Sequence, residues 1–243
     1  MLSRFNAIYL RQRFLVNGLS VLINPFFFVR RGLLRGIRRY ASRLGGRLLD
    51  FGCGSKPYRE LFAVREYIGV DMEQTGHAHL KHERLTIDVF YDGKTLPFAD
   101  GHFDSVFSSE VFEHVFNLEE MLTEINRVLR PGAMALFTVP FVWNEHEVPY
   151  DFGRYSAFGI THLLQQKGFE VIELYKTTHF AEVLCQLWTL YLRDRVYTSN
   201  KYLNIGLNVL FIAPFTLLGL VLTSVLPKDR SLYHNSVILA RKQ

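Results

Sequence analysis

The sequence predicts an α/β protein built on a doubly wound, mostly parallel seven-stranded sheet, with an antiparallel last strand and added apolar helices. Three observations support this fold class. From Gly45 onward short apolar runs alternate with segments of helical spacing, several runs end in an acidic residue, and a Gly-x-Gly turn follows the first run at once. This alternation is typical of parallel sheets, which bind ligands beyond the carboxyl ends of their strands.

The first strands are predicted around the glycine turn. Arg47–Phe51 forms the first strand, and glycine after it lets the backbone adopt positive φ and approach a ligand closely. The elements that follow are a short helix at Tyr58–Val64, a second strand at Tyr67–Asp71, a third at Leu85–Asp88 and a fourth at Phe103–Ser109.

The second half of the sheet follows the same pattern. Arg130-Pro131-Gly132 should end the helix before it, and Gly168 should cap another helix, because proline and glycine break helical structure. The predicted elements are a helix at Leu118–Leu129, a fifth strand at Ala133–Val139, a helix at Ala157–Gln166, a sixth strand at Phe169–Leu174 and a seventh at Ser236–Ala240.

The amino-terminal arm, residues 1–44, interleaves arginine with bulky apolar residues. The net charge is +5, but residues 1–49 hold ten arginines and no acid, so the remainder carries 18 − 23 = −5. A net positive charge that belongs to one arm favours membrane phosphates over nucleic acid as partner. The apolar stretch Phe14–Val29 is too short to span a bilayer and lacks a cleavage site, so we expect an interfacial amphipathic helix. A helical cap over the active site is the alternative.

A second apolar stretch, Tyr202–Leu226, contains 25 uncharged residues. Its length permits a membrane span, but a seventh strand that rejoins the sheet puts both ends on one side. We therefore expect a segment that enters one leaflet and returns, with Pro214 near the bend. A buried helix pair in an oligomer interface and a true span are the alternatives. The predicted domains are an arm at 1–44, a core at 45–178 plus 231–243, and an insertion at 179–230.

Three acidic residues lie at the predicted strand ends: Asp50, Asp71 and Asp88. A carboxylate at the end of the second strand can accept both hydroxyls of a ribose. Pro57 stands where a pyrophosphate-binding loop needs its third glycine, and no Gly-Lys-Ser/Thr loop occurs. The pattern fits a ligand with an adenosine moiety and no phosphates.

These motifs resemble those of the class I S-adenosylmethionine-dependent methyltransferases, which have a Rossmann-like fold. The resemblance covers roughly residues 45–178, with the seventh strand at 236–241. The matching stretches are LLDFGCGSKPY (48–58), YIGVD (67–71), TID (86–88), LPFADGHFDSVFSSEVFEHV (96–115) and EINRVLRPGAMALFTVP (124–140).

The resemblance implies S-adenosyl-L-methionine as cofactor and assigns contacts to it. The cofactor's methionine portion lies against the glycine loop, its ribose and adenine beside the acids, and its sulfonium beyond the fourth strand. The implied residues are Gly52, Cys53 and Gly54 in the loop, Asp71 and Met72 at the ribose, Asp88 and Val89 at the adenine, Ser109 and Glu110 at the sulfonium, and Asp50, which orders the loop or meets the methionine amino group.

The predicted acceptor site is the loop after the fifth strand, residues 141–155. Transfer to a hydroxyl needs a proton acceptor, and His146 is the first choice because its ordinary pKa is near neutrality. Asp151 could orient His146, Tyr155 could shape the pocket, and His114 is a second base candidate. The pattern His-x-x-Pro-Tyr-Asp-x-x-Arg-Tyr resembles methyltransferases of bacterial cell-surface polysaccharide and glycolipid synthesis.

The motifs of metal-dependent, amino-methylating and cytosine-modifying relatives are not matched, so we expect metal-free transfer, most often to oxygen. Only two cysteines occur, Cys53 and Cys185, which provide neither a disulfide framework nor a cysteine zinc site. The prediction is a membrane-associated methyltransferase at the cytoplasmic face, acting on a hydroxyl of a lipid-linked, saccharide or other amphipathic acceptor, with a homo-oligomer left open. A non-catalytic cofactor-binding module and a nicotinamide-dependent oxidoreductase, suggested by Tyr197–Lys201, are the alternatives.

Overall fold

A computed structural model describes residues 11–72 and 86–243 of the chain. Its centre is a seven-stranded sheet in the order β3-β2-β1-β4-β5-β7-β6, with the antiparallel arrangement at the β7 end, as the sequence predicted. The strands are β1 (Arg47–Phe51), β2 (Glu66–Met72), β3 (Val89–Tyr91), β4 (Phe103–Ser109), β5 (Leu129–Pro140), β6 (Phe169–Lys176) and β7 (Asn235–Lys242).

The parallel pairing brings the carboxyl ends of β1, β2 and β4 to one edge. Leu49 of β1 pairs with Ile68 of β2 on one side and Val106 of β4 on the other. Leu49 and Val106 are fully buried, because the central strands of a parallel sheet are covered on both faces. The chain reverses in strand order at β1, the point where open α/β sheets bind ligands.

Two helices beside the sheet show the expected amphipathic spacing. They are α3 (Leu118–Val128) and α4 (Ala157–Gln166). Met121 and Ile125 lie one turn apart on α3 and are both fully buried. The hydroxyl of Ser156 accepts a hydrogen bond from the Gly159 N–H and so caps the start of α4.

The chain forms two compact units. The unit that contains most of the sheet consists of 36–175 and 236–243, and the other unit, called the helical unit below, consists of 1–35 and 176–235. The predicted domains differ from this division, because they separated the amino-terminal arm from the insertion. The remaining helices are α1 (Ser20–Ile23), α2 (Phe27–Tyr40), α5 (Phe180–Val196), α6 (Lys201–Leu207) and α7 (Ala213–Val225).

The single interfacial helix expected over Phe14–Val29 was wrong. The structure has the short helix α1 and then a new helix, α2, that starts at Phe27. Asn24 separates them: its side chain accepts a hydrogen bond from the Phe26 N–H and donates one to the Gln12 carbonyl. Polar side chains that bond to the backbone in this way favour turns over continued helix.

The bend expected near Pro214 was also wrong. The chain runs from Lys201 to Val225 as one helical stretch, in which a π-helical turn at Asn208–Ile212 joins α6 to α7. Pro214 lies at the start of α7, directly after this π-helical turn. Within the described residues this stretch is the one helix long and apolar enough to cross a membrane by length and composition.

Two further elements differ from their predictions. The third strand starts at Val89 instead of ending at Asp88, while Leu85 lies outside the described residues. The short helix expected at Tyr58–Val64 is a single 3-10 turn at Arg59–Leu61. The Thr86 N–H bonds to the Gly54 carbonyl of the glycine loop, and the Leu61 N–H bonds to the Tyr58 carbonyl three residues earlier. The local apolar pattern did not report these contacts.

Candidate active site

The glycine loop after β1 has the backbone geometry that the sequence predicted. Gly52 has φ of +71°, and a Cβ built on it would lie 2.4 Å from Cγ2 of Val111. The Gly52 and Cys53 N–H groups donate to the Val70 carbonyl at 2.9 and 3.2 Å, which ties the loop to β2. Gly54 also has positive φ and faces open space. The loop therefore presents backbone rather than side chains at this edge of the sheet.

Asp71 stands beside this loop at the end of β2. Its Oδ2 accepts a hydrogen bond from the Gly54 N–H at 2.9 Å, and its Oδ1 accepts one from the Met72 N–H at 2.8 Å. The Asp71 side chain is almost fully buried, whereas Met72 is exposed. The structure thus brings together the predicted ribose-binding acid and the predicted methionine-binding loop.

Asp50 is buried within the same region. Its Oδ2 accepts a hydrogen bond from the Tyr67 hydroxyl at 2.6 Å. Burial raises the pKa of the Asp50 carboxyl to about 7, although the Tyr67 hydrogen bond and the charge of Lys56 act in the opposite direction. Burial likewise raises the pKa of the Cys53 thiol, so this cysteine is not a nucleophile at neutral pH.

Asp88 precedes β3 instead of ending it. Its Oδ2 accepts a hydrogen bond from the Gly69 N–H at 2.7 Å and pairs with the Lys56 ammonium. These contacts hold Asp88 against the middle of β2, while its neighbour Val89 pairs with Val70 in the sheet. The adenine contacts of Asp88 and Val89 stay a prediction. Asp88 lies just before β3 and Val89 is its first residue, whereas the sequence placed Asp88 at the end of that strand.

Asp92 is the acid that follows β3, and the sequence analysis missed it. Its carboxylate accepts hydrogen bonds from the Lys94 and Thr95 N–H groups, each at 2.8 Å. An acid directly before glycine, at the end of the apolar run Val89–Tyr91, is the signal that could have identified this position.

Ser109 and Glu110 lie together after β4. The Ser109 hydroxyl is 2.9 Å from the Thr138 hydroxyl of β5, which also donates to Glu110 Oε1 at 2.7 Å. Glu110 has φ of +57°, a conformation uncommon outside glycine that costs about 1–3 kcal/mol and is concentrated at functional sites.

The predicted base, His146, contacts its predicted orienting residue. Asp151 Oδ2 lies 3.1 Å from His146 Nδ1 and also accepts the His146 backbone N–H at 3.0 Å. Both carboxylate oxygens of Asp151 are bound by the Arg154 guanidinium. Burial opposes ionisation of Asp151, but the hydrogen bonds from Arg154 and His146 lower its pKa below the usual range. Burial, with the charge of His114, lowers the pKa of His146.

The second predicted base, His114, lies next to the first. The two imidazole rings are 4.8 Å apart between centroids, and His114 Nδ1 is 2.7 Å from the Tyr150 carbonyl oxygen. The Phe152 and Gly153 N–H groups donate to the Glu113 backbone carbonyl, which joins the loop after β5 to the segment after β4. Three of the four predicted catalytic residues therefore form one cluster.

Glu113 and Arg154 belong to this cluster, and neither was predicted to have a central role. Burial, and then repulsion from Glu110, raises the pKa of the Glu113 carboxyl well above its ordinary value. Tyr155 is half-buried, with its ring packed against Gly153, and burial raises its pKa. Glu113 stands directly before His114, so the sequence shows that a carboxyl group and an imidazole are neighbours. The burial of Glu113 could not be predicted, because it depends on contact with the loop after β5.

One segment connects the two halves of the site. Val111 packs against Gly52 of the glycine loop, and Glu113 and His114 follow two and three residues later. The glycine loop and the histidine cluster are therefore adjacent along a short 3-10 turn at Phe112–His114. This arrangement can place a ligand bound at the strand ends beside titratable side chains.

Comparisons with known proteins identify a methyltransferase domain in this chain. A family model described as "Methyltransferase domain" matches residues 49–137. A probable S-adenosylmethionine-dependent methyltransferase of Mycolicibacterium smegmatis is 29% identical over 147 residues, which are 59% of this chain and 55% of that protein. An O-methyltransferase of Aspergillus nomiae is 30% identical over 159 residues, 56% of this chain and 69% of that protein. A fatty-acid O-methyltransferase of M. smegmatis is 33% identical over 101 residues, 39% of this chain and 37% of that protein.

A solved structure supports the fold. A putative methyltransferase from Bacillus halodurans superposes with a TM-score of 0.54 at 18% identity, covering 87% of this chain and 99% of that one. The chain spans about half the length of the first curated relatives it matches. From fold, site and sequence together, the chain belongs to the class I S-adenosylmethionine-dependent methyltransferases, and the cofactor of this family is S-adenosyl-L-methionine.

Proposed function

We propose that this protein transfers the methyl group of S-adenosylmethionine to an oxygen of an amphipathic or lipid-linked small molecule. The observation that carries this proposal is the adjacency of the two halves of the site. Val111 touches the cofactor loop at Gly52, and His114 lies three residues further on, beside His146. An acceptor held at the histidines would meet the cofactor near Glu110.

The chemistry needs a group that deals with the hydroxyl proton. As the O–C bond forms and the S–C bond breaks, sulfur keeps that bond's electron pair. A hydroxyl acceptor must also lose its proton, whereas an ionised carboxylate has none to lose. We propose that the imidazoles of His146 and His114 accept the hydroxyl proton, with Asp151 orienting His146 and Tyr155 beside the acceptor. The ion pair with Arg154 fixes Asp151, so His146 has a defined orientation.

Relatives support the choice of acceptor class. Two of the relatives described above are named O-methyltransferases, and one of them is a fatty-acid O-methyltransferase. Both matches cover only part of each chain, so the acceptor of this protein remains a proposal. A carboxyl or hydroxyl group on a long apolar chain fits both the relatives and the apolar surface described next.

The helical unit supports a location at the membrane surface. The stretch from Lys201 to Val225 has a mean hydropathy of 2.3 over its most apolar 18 residues, and only 28% of those residues are buried. Its exposed apolar side chains, with those of α5, include Leu184, Trp188, Tyr191, Leu203, Leu210, Leu217, Leu218, Val221 and Val225. Many exposed apolar side chains on one pair of helices are typical of an interaction surface.

The charges near this surface match an anionic membrane. Arg193 and Arg195 lie in the last turn of α5, and Lys228 and Arg230 follow α7. Trp188 stacks on Tyr191, and both rings are about half exposed. Aromatic rings and basic side chains at the border of an apolar surface are typical of membrane interfaces. We propose contact with the cytoplasmic face of the membrane, and a homo-oligomer stays a prediction.

The first experiment measures cofactor binding and then methyl transfer. Detergent-purified protein is titrated calorimetrically with S-adenosylmethionine and S-adenosylhomocysteine, and is then given methyl-labelled cofactor with a long-chain fatty acid or a hydroxylated lipid in phosphatidylglycerol vesicles. We expect micromolar cofactor binding and label in the lipid fraction. Cofactor binding without label in either acceptor would refute the lipid acceptor, and absence of cofactor binding would refute the methyltransferase activity.

A vesicle test addresses the membrane surface separately. Val221→Glu places a charge on the exposed face of α7, and Phe158→Glu places one on an exposed apolar position of α4, in the other unit. We expect Val221→Glu to weaken sedimentation with phosphatidylglycerol vesicles by roughly tenfold or more, since it loses apolar burial and adds repulsion. Equal binding by both variants would refute the proposed surface.

A further inference from the structure

We propose that Glu113, His114 and His146 bind a divalent transition-metal ion, such as Zn²⁺, which holds the oxygen of the methyl acceptor. One potential ligand atom from each of these three residues lies within 4.8 Å of the others. This inference rests on the proposed acceptor site. It replaces the sequence-based expectation of metal-free transfer, and it replaces the proton-accepting role proposed above for the two histidines. Two imidazoles and one carboxylate are the ligand set that binds catalytic zinc with an open position.

The hydrogen bonds of the two histidines orient their lone pairs. His114 Nδ1 lies 2.7 Å from the Tyr150 carbonyl oxygen, which can only accept, so this nitrogen carries the proton and Nε2 carries the lone pair. His146 Nδ1 lies 3.1 Å from Asp151 Oδ2, so this nitrogen donates its proton to the carboxylate and Nε2 carries the lone pair. Metal-binding histidines almost always donate their other ring N–H to a carbonyl or carboxylate.

Arg154 does not disturb this assignment. Its Nη2 is 3.3 Å from His146 Nδ1 but only 2.6 Å from Asp151 Oδ2, so its proton is directed to the carboxylate. The guanidinium thereby fixes the carboxylate that fixes the imidazole. The ring of His146 is oriented before any ligand arrives, which lowers the cost of binding one.

Glu113 supplies an independent indication of a missing ligand. Its side chain is 1% exposed, and its Oε2 has no hydrogen-bond partner among the described residues. Its other oxygen, Oε1, lies 3.8 Å from His114 Nε2. Buried carboxylate oxygens are normally hydrogen-bonded or coordinated, because an unsatisfied one is costly. A cation between Glu113 and the imidazoles would satisfy this oxygen.

The charges around the cluster favour a cation. Glu147 Oε2 lies 3.7 Å from His114 Nε2, so a second carboxylate borders the same nitrogen. The carboxyl groups of Glu113, Glu147 and Asp151 lie around the two imidazoles, whereas Arg154 is the one guanidinium among these four side chains and already binds Asp151. Zinc bonds of ~2.1 Å place ligand atoms about 3.4 Å apart, so only modest side-chain movement from the present spacing is needed.

Such an ion gives the two histidines a defined part in the reaction. The acceptor oxygen would take the open position, where the ion lowers the pKa of its hydroxyl and the proton leaves to solvent water. The oxygen lone pair then forms the O–C bond as the S–C bond breaks, and sulfur keeps the electron pair. The imidazoles bind the ion in this scheme instead of accepting the proton themselves.

The test starts with full-length protein stripped of metal by chelation and dialysis. It is loaded with Zn²⁺ for stoichiometry by mass spectrometry, and titrated with Co²⁺ while the visible absorption is recorded. His114→Gln and His146→Gln remove ligands, whereas His162→Gln replaces an exposed histidine on α4 as the matched control. We expect one Zn²⁺ per chain, and a Co²⁺ band, in the wild type and in His162→Gln.

The cluster variants should lose this binding. We expect Zn²⁺ affinity to fall at least roughly 100-fold in His114→Gln and His146→Gln, and about 10–100-fold in Asp151→Asn, which keeps every ligand but weakens the orientation of one. Equal zinc content in all variants, or none in the wild type, would overturn the metal site. Calorimetric cofactor binding shows whether each variant is folded. If a histidine variant is unfolded, Asp151→Asn still tests the metal site.

The catalytic part of the inference has its own outcome. Methyl transfer should fall on chelation and return with Zn²⁺. Undiminished transfer by metal-free protein would overturn the metal's role and leave the proposed function intact. Zinc bound at the cluster without transfer to any lipid acceptor would support the metal site and overturn the proposed function.

Discussion

Two regions of the unit that contains most of the sheet are built in different ways. They are the proposed cofactor edge, formed by Gly52–Gly54 and Asp71, and the proposed acceptor loop, residues 141–155. At the cofactor edge the main chain carries the geometry: Gly52 and Gly54 have positive φ, and the Gly54 N–H binds Asp71 directly. At the acceptor loop side chains bind side chains, as in the contact of His146 with Asp151 and of Asp151 with Arg154. One region depends on strand register, the other on the packing of two loops.

This difference explains how each region should respond to substitution. A backbone-built site tolerates few changes of glycine, since the conformation itself is needed. A side-chain network loses one function at a time, because each member can be replaced while the strands stay in place. Cofactor binding and methyl transfer should therefore be separable by mutation.

The largest expected effect concerns the buried carboxyl of Asp50. It tests whether ionisation of this carboxyl at the cofactor edge lowers the free energy of unfolding. Its pKa in the folded protein is about 7 instead of the ordinary 3.8, because of burial. A raised pKa contributes stability that is complete below pH 3.8 and is lost as pH rises through 7. Asp50→Asn keeps an acceptor for Tyr67 but cannot ionise, so it should gain stability relative to the wild type between pH 5 and 8, by up to about 4 kcal/mol.

Urea unfolding without cofactor measures this difference at each pH. Asp100→Asn is the control, since the Asp100 side chain is exposed and forms an ion pair with Arg127 at the surface. Curves for wild type and Asp50→Asn that stay parallel from pH 5 to 8 would contradict the prediction.

The next effect tests the backbone origin of the cofactor edge. Gly52→Ala adds a Cβ that would lie 2.4 Å from the Val111 side chain and keeps φ at +71° only with strain. Strain and overpacking together should cost about 2–4 kcal/mol and remove most cofactor affinity. Gly45→Ala is the control because no atom lies within 4 Å of its added Cβ. Calorimetry measures the affinity of both variants for S-adenosylhomocysteine. Unchanged affinity in Gly52→Ala would show that cofactor binding does not depend on the backbone conformation of Gly52.

The cofactor edge could be predicted from sequence because its signals are local. The strand bounds of β1 and β4 and the helix bounds of α4 match the predicted ones, since each lies between clear turn residues. The positions of Asp71 and the glycine loop at the strand ends could be predicted because each comes at the end of an apolar run. Asp88 misled the analysis because an acid after apolar residues also occurs before a strand, where its carboxylate can bind the neighbouring strand's Gly69 N–H.

The acceptor cluster could be predicted only in part. His146, Asp151 and Arg154 are close in sequence, and their spacing made the network foreseeable. Glu113 was not recognised, because its burial requires the Phe152 and Gly153 N–H groups to bind its carbonyl across nearly forty residues of chain. A contact of that kind follows from tertiary packing, which periodicity does not report.

The smallest cofactor effect comes from a matched pair of substitutions across the two regions. Asp71→Asn should weaken cofactor binding by roughly 10–100-fold, since a charge-assisted hydrogen bond to the ribose is worth about 1.5–3 kcal/mol. Asp151→Asn should leave cofactor affinity within about twofold, because the Asp151 carboxylate binds His146 and Arg154 rather than the strand ends. Methyl transfer should nevertheless fall in both. If Asp151→Asn weakened cofactor binding as much as Asp71→Asn, the two regions would act as one network, and the proposed separation of cofactor edge from acceptor loop would be wrong.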